Sequence, residues 1–197
     1  MTLRTLFPLA AILAASFAGS GCNYNSLVQK DEAVDQSWAD VQSQYQRRAD
    51  LVPNLVSTVR GAANFEQETL TAVTQARANA TGIQLSADDL SDPAKVQQFQ
   101  AAQSQLSGAL SRLLVVSENY PELRATESFQ TLQAQLEGTE NRINVSRDRY
   151  NNTVADYNTS VRSFPSSLYA GWFGFERRTP FEADAASQRA PTVNFGS

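Results

Sequence analysis

The chain has 197 residues, enough for one ordinary domain with a sizeable core and too few for two comfortable ones. Its 16 basic and 20 acidic residues leave a net charge of −4, which argues against a nucleic-acid footprint or a polybasic grip on anionic lipid, so any membrane contact must be apolar. With no histidine and a single cysteine, the usual general base, the usual zinc and haem ligands and every Ser-His-Asp or Cys-His arrangement are excluded, and only a carboxylate-based site remains to be sought.

Residues 1–22 read as an export signal or membrane anchor. Arg4 supplies a short positive region, Leu6 to Ala18 is apolar apart from Pro8 and Ser16, and Gly19-Ser20-Gly21 precede Cys22. A spanning helix wants about 20 predominantly apolar residues, more than this run offers, although a short uncleaved span is the natural rival. The cysteine, with small residues before it and polar sequence after it, resembles a bacterial lipobox, in which Cys22 would be diacylated and become the mature N-terminus. The usual leucine three residues earlier is here Gly19. Acyl chains at Cys22, at ~0.8 kcal/mol per buried CH₂, would hold the protein to a bilayer. By resemblance to Gram-negative lipoproteins, Asn23 would favour the outer membrane; in any envelope the protein would face the periplasm or the exterior.

From residue 27 the apolar residues recur at helical spacing. Leu27, Val34, Val41 and Leu55 form one seven-residue track and Trp38, Tyr45, Val52 and Val59 a second track four residues over, both on one face. Val56, Ala63, Leu70 and Val73 continue the stripe to about Ala80, where Thr81-Gly82 ends it. Pro53 interrupts this run and predicts either a kink in one helix or the first turn of a new one, with Asp50 as its cap. Residues 82–93, with Asp88-Asp89 and Asp92-Pro93, read as a solvated surface loop in which Asp92 caps the next helix. That helix, about 93–119, places Val96, Phe99, Leu106, Leu110, Leu113 and Leu114 on one face. Tyr120-Pro121 ends it and starts the last helix, where Phe129, Leu136, Ile143, Tyr150, Tyr157 and Phe164 recur every seven residues, seconded by Leu132 and later by Val154, Val161 and Leu168. Such a repeat predicts long, nearly parallel helices packed as in a coiled coil, and no run looks like a strand. The fold class is all-α, with residues 23–165 as the bundle and 166–197 as an aromatic segment and tail.

Several longer motifs occur in order: Tyr24-Asn25-Ser26-Leu27-Val28, Trp38 with Asp40-Val41, the run Gln46-Arg47-Arg48-Ala49-Asp50-Leu51-Val52-Pro53-Asn54-Leu55-Val56, Thr74-Gln75-Ala76-Arg77, Glu118-Asn119-Tyr120-Pro121-Glu122-Leu123, Gly138-Thr139-Glu140-Asn141-Arg142-Ile143, Tyr150-Asn151, and Phe164-Pro165 with Phe173-Gly174-Phe175. Together they resemble the LemA family signature over nearly all of the chain after residue 23. The resemblance implies an antiparallel, up-and-down four-helix bundle, membrane attachment, and no established catalytic activity, cofactor or metal. Many relatives carry a plain membrane span where this chain carries Cys22, which bears on topology rather than fold.

Three charges fall on the apolar stripe: Arg48 between Val41 and Leu55, and Glu140 and Arg147 where the stripe passes Leu136, Ile143 and Tyr150. A buried charge without a partner costs several kcal/mol, so Arg48 and Glu140 are expected to meet between helices and fix their register. The rival reading is a polar groove in which Arg47, Arg48 and Asp50 face a ligand. Past Pro165, the residues Leu168, Tyr169, Trp172, Phe173 and Phe175 form a dense apolar cluster, with Phe164, Leu168, Trp172 and Phe175 at helical spacing. It predicts either a segment folded back on the bundle end or a partner or membrane-interface patch. A mobile polar tail is expected after Phe181, with Val193 and Phe195 as candidates for extended docking.

The sequence is best read as a membrane-tethered, non-catalytic scaffold or adaptor for an unidentified envelope protein. A carboxylate-dependent cell-wall enzyme would need two Asp or Glu side chains facing each other across a cleft. A small-molecule or peptide sensor would need a sizeable pocket.

Overall fold

The structure, a computed structural model, describes the backbone of residues 6–61 and 65–182 and the side chains of residues 24–61 and 65–182. The side chain of Cys22, Ala63, and the tail with Val193 and Phe195 lie outside those residues. The described chain is an all-α bundle. Helix α1 spans Leu6–Arg60, α2 Gln67–Gly82, α3 Pro93–Ser117, α4 is the single turn Pro121–Arg124, and α5 spans Glu127–Arg162.

α1 runs without interruption through Pro53, so no new helix starts there, and the chain instead leaves the helix at Gly61. The apolar stripe therefore belongs to two antiparallel helices. Val56 and Val59 lie on α1 and Leu70 and Val73 on α2, and all four are buried. The turn was hidden because 14 residues separate both Val56 from Leu70 and Val59 from Val73, which keeps the heptad phase across the reversal.

Helices α1 and α5 form the long antiparallel spine. Cross-links run in opposite senses along them: Lys30 Nζ donates to Ser160 Oγ at 2.6 Å, Arg149 pairs with Asp40 at 3.3 Å, and Arg48 meets Glu140 at 2.7 Å. α3 begins as expected, with Pro93 in its first turn and the Asp92 carboxylate accepting from the Ala94 N–H at 2.9 Å. The last long helix starts later than Tyr120-Pro121 suggests. Those residues make only α4, and Thr126 caps α5 by accepting from the Phe129 N–H.

At 16 residues α2 covers only the half of α1 nearer Gly61, and the two halves of the bundle are walled differently. In the half nearer Gly61, Val52, Leu55, Val59, Leu70, Val73, Leu106, Leu113, Phe129 and Leu136 share a core among four helices. In the other half, Leu27, Val34, Trp38, Val41, Phe99, Ile143, Tyr150 and Tyr157 are covered instead by Leu85 and Leu90 from the 83–92 loop and by Phe181 from the C-terminal segment. α5 stops at Arg162, so Phe164 and Leu168, which continue its apolar track in sequence, leave the core. Both are exposed, at 81% and 66%.

Candidate functional site

Arg48 sits between the two apolar cores. On α1 it lies between Tyr45 of one and Val52 of the other, and it meets α3 at Gln103 and Ser107 and α5 at Glu140. The guanidinium is 1% exposed. One terminal nitrogen donates to Glu140 Oε1 at 2.7 Å and to Ser107 Oγ at 2.5 Å. The other donates to the Gln103 carbonyl at 3.1 Å and to Gln103 Oε1 at 2.7 Å. Gln103 Nε2 in turn donates to the Ala80 carbonyl at the end of α2, and the guanidinium carbon lies 5.1 Å from the Tyr45 ring centroid. One side chain thus ties all four long helices, directly or through Gln103, in a layer where an unpartnered cation would cost several kcal/mol. Glu140 is 38% exposed and lies at the rim of this layer, so it is not the inward carboxylate that the periodicity implies.

The remaining charged residues of the signature do not converge with Arg48. Arg47 and Asp50 are exposed along an open depression with Arg142, and Asp50 accepts from Gln46 at 2.7 Å. Arg48 points away from that surface, so the three do not form one groove. Arg147 does not sit in the interhelical stripe either. It donates to the Glu182 carbonyl at 3.0 Å, and its guanidinium lies 5.1 Å from the Phe181 ring centroid. Pro53 is exposed on the outer side of α1, and its missing N–H leaves the Ala49 carbonyl without its usual helical donor. Arg77 of α2 supplies one at 2.7 Å.

The C-terminal segment 175–182 lies as an extended strap against α5, α1 and the 83–92 loop. Asn158 and Asn151, two turns apart on one face of α5, each clasp its backbone from both sides. Asn158 donates to the Arg178 carbonyl at 2.8 Å and accepts from the Arg178 N–H at 2.9 Å. Asn151 does the same for Phe181 at 3.1 and 2.8 Å. Tyr150 donates to the Thr179 carbonyl at 2.9 Å, and the Thr179 N–H donates to the Leu90 carbonyl at 2.7 Å. The Arg178 guanidinium reaches Asp31 on α1 at 3.0 Å and the Ala87 carbonyl at 2.7 Å. Beside it, partial burial raises the Asp35 carboxyl above the usual carboxylate range; Arg178 opposes the shift, and Asp31, Glu32 and Asp88 add to it. Burial likewise pushes the Tyr150 phenol up. Sequence reasoning missed this strap because an extended segment has no helical period. The signal was the seven-residue spacing of Asn151 and Asn158 next to the apolar track.

Before the strap, the chain makes two short 3₁₀ turns, Ser166–Leu168 and Ala170–Phe173, rather than the helix suggested by spacing. Gly174, at φ +78°, closes the second turn, and the Phe175 N–H returns to the Ala170 carbonyl at 3.0 Å. This reversal buries Ala170 and directs Phe175 onto Tyr24 at the start of the described side chains, with ring centroids 5.7 Å apart. Phe173 also meets Tyr24, at 5.2 Å, but remains 60% exposed, and Trp172 is 89% exposed. The segment is thus folded back and exposed at once.

The acidic loop is used locally. Asp89 pairs with Lys95 and accepts from the Ser86 N–H at 2.9 Å and hydroxyl at 2.7 Å, and these bonds hold its carboxyl below its ordinary range. Among the described residues, no group of three or more Cys, Asp and Glu side chains could hold a metal ion. A cleft of about 360 Å³ between α1, α2 and α3 is lined by Gln42, Ser43, Tyr45, Gln46, Thr81, Gln84 and Gln103 together with apolar residues, and no carboxylate lines it.

The fold and its polar layer define a long antiparallel helical bundle in which the buried charge joins helices. The LemA family model matches residues 37–195, and the chain belongs to the LemA family. Protein LemA of Metamycoplasma hominis is 26% identical over 148 residues, covering 75% of this chain. The match takes in 60% of that relative's length.

Proposed function

We propose that this protein is a membrane-tethered, non-catalytic bundle that holds a rigid helical surface close to a bilayer for another envelope component to bind. The observation that carries this reading is the continuity of α1. One helix leads from Leu6, in the apolar N-terminal run, into the core at Leu27, Val34 and Val41. Whatever holds α1 to lipid at or before position 22, a retained apolar run or acyl chains on Cys22, therefore holds the bundle as well. Acylation at Cys22, two residues before Tyr24, is the tether favoured by the sequence. No helix among the described residues is long and apolar enough to cross a membrane.

A scaffold role is supported by how the charges are used. Arg48, Gln103 and Glu140 are committed to one another, Arg178 is committed to Asp31 and Ala87, and the cleft between α1, α2 and α3 carries no carboxylate pair for glycoside chemistry. The neutral, hydrogen-bonding lining of that cleft favours a small-molecule or peptide sensor as the second reading. The tether is tested by membrane fractionation with a high-pH carbonate wash. The full chain stays with the membrane, and a chain whose residues 1–23 are replaced by a cleavable export signal is released. Release of the full chain under the same wash would contradict the proposal.

A further inference from the structure

One end of the bundle carries a patch that its own fold leaves open. Phe164 is 81% exposed, Leu168 66%, Trp172 89% and Phe173 60%, and Tyr24, packed against Phe173, is 38% exposed. Isolated exposed hydrophobic residues are ordinary, but Phe164, Leu168, Trp172 and Phe173 lie within ten residues of one another, in or just before two short turns. The turn is built to present it. Ser166 and Ala170 are the buried residues of the two turns, and the reversal at Gly174 brings Phe175 back to the body while Trp172 is left outside.

What lies against this end is indicated by the chain itself. Tyr24 is in contact with Phe173 and Phe175, and it is two residues from Cys22 and six from Ala18, the last residue of the apolar N-terminal run. An acylated Cys22 and an uncleaved apolar segment would both bring lipid to this end of α1. Aromatic rings with a polar edge, tryptophan above all, settle at the headgroup level of a bilayer. Arg162, basic and exposed, ends α5 two residues before Phe164.

We propose that Phe164, Leu168, Trp172 and Phe173 form a second membrane contact, seated in the lipid interface beside the N-terminal tether, so that the bundle is held at two points with a fixed tilt. This rests on the tethered reading above, and it adds a lipid surface as the occupant of the patch.

The test uses the full chain reconstituted in phosphatidylethanolamine/phosphatidylglycerol vesicles. Trp38 is buried in the core and Trp172 is exposed, so the difference between wild-type and Trp172→Phe emission reports Trp172 alone. The proposal expects vesicles with acyl chains brominated near the headgroup to reduce that difference signal about twofold, and aqueous iodide to have little effect. If iodide quenches Trp172 and bromolipid does not, in a chain that still floats with the vesicles, the lipid contact is overturned and the tether stands. If neither quencher reaches Trp172, a second copy, another protein or residues 183–197 cover the patch, and the lipid contact is again overturned. A chain that does not float overturns the tether and this contact together.

Discussion

Pro53 and Arg77 complete each other across two helices. The proline removes the N–H that would meet the Ala49 carbonyl, and Arg77 Nε of α2 donates to that carbonyl at 2.7 Å. A residue that would weaken α1 alone becomes the point where α2 is pinned to it. Ala49 is buried, so losing the donor leaves an acceptor without water. Arg77→Met is expected to cost about 1–3 kcal/mol. In a Pro53→Ala background the alanine N–H meets the carbonyl instead, and the same change costs clearly less. Denaturant unfolding of the four proteins in this cycle measures the coupling, and equal costs in both backgrounds would refute the pairing.

Arg48 and Glu140 form a different kind of pair, because one is enclosed and the other lies at the rim. Glu140→Leu strips Arg48 of the one anionic contact it has among the described residues and leaves Ser107 and Gln103 to hold a buried cation, whereas Arg48→Met with Glu140→Leu removes the charge altogether. The single Glu140 change should therefore destabilise more than the double change, with a coupling on the order of 1–2 kcal/mol, reduced from a fully buried pair by solvent at Glu140. Additive effects in the double-mutant cycle would remove Glu140 from the account of the node.

Asp35 gives the fold a pH dependence whose sign follows from its raised carboxyl. In the unfolded chain it titrates at its ordinary value of 3.8 and in the fold above it, so the folded state binds the proton more tightly. Its ionised form opposes folding at neutral pH, and the penalty is lost as pH falls through the folded value. Asp35→Asn should stabilise the protein at pH 7, and its advantage should shrink as pH falls toward the ordinary carboxylate range. Thermal melts of both proteins from pH 4 to 8 check this, and a constant difference would contradict it.

The strap depends on side chains rather than on a sheet. Asn158→Leu removes both bonds to Arg178 and leaves its peptide unclasped. We expect faster hydrogen exchange across residues 176–181 and earlier tryptic cleavage at Arg177 and Arg178, with little change at Val52 or Leu55 in the other core. Uniform loosening of both halves would mean that the strap and the bundle open as one unit.

Much of this architecture was legible in the primary structure because long helices write their burial as a seven-residue period. Leu27, Val41, Leu136, Ile143 and Tyr157 are all buried where that period puts them, and Asp92 caps α3. The Arg48–Glu140 contact was legible for the same reason, since a charge on an apolar track demands a partner. Reversals that preserve the period were not legible. Gly61 turns the chain without disturbing the spacing from Val56 to Leu70, and Pro53, the more conspicuous signal, does not end the helix because a tertiary donor replaces the bond it removes. At the other end the period misleads in the opposite sense, since Phe164 and Leu168 keep the spacing of α5 after its helix has ended. The strap was missed because its bonds join side chains to backbone, and the seven-residue spacing of Asn151 and Asn158 carries no apolar signature.

The proposed tether of the bundle to a membrane through Cys22 is tested most directly by the intact mass of protein purified from its native membrane. An acylated tether gives a chain beginning at Cys22 and carrying acyl mass that disappears in the Cys22→Ser variant. A full-length, unmodified chain in that membrane would contradict it and would leave residues 5–21 as a retained membrane anchor.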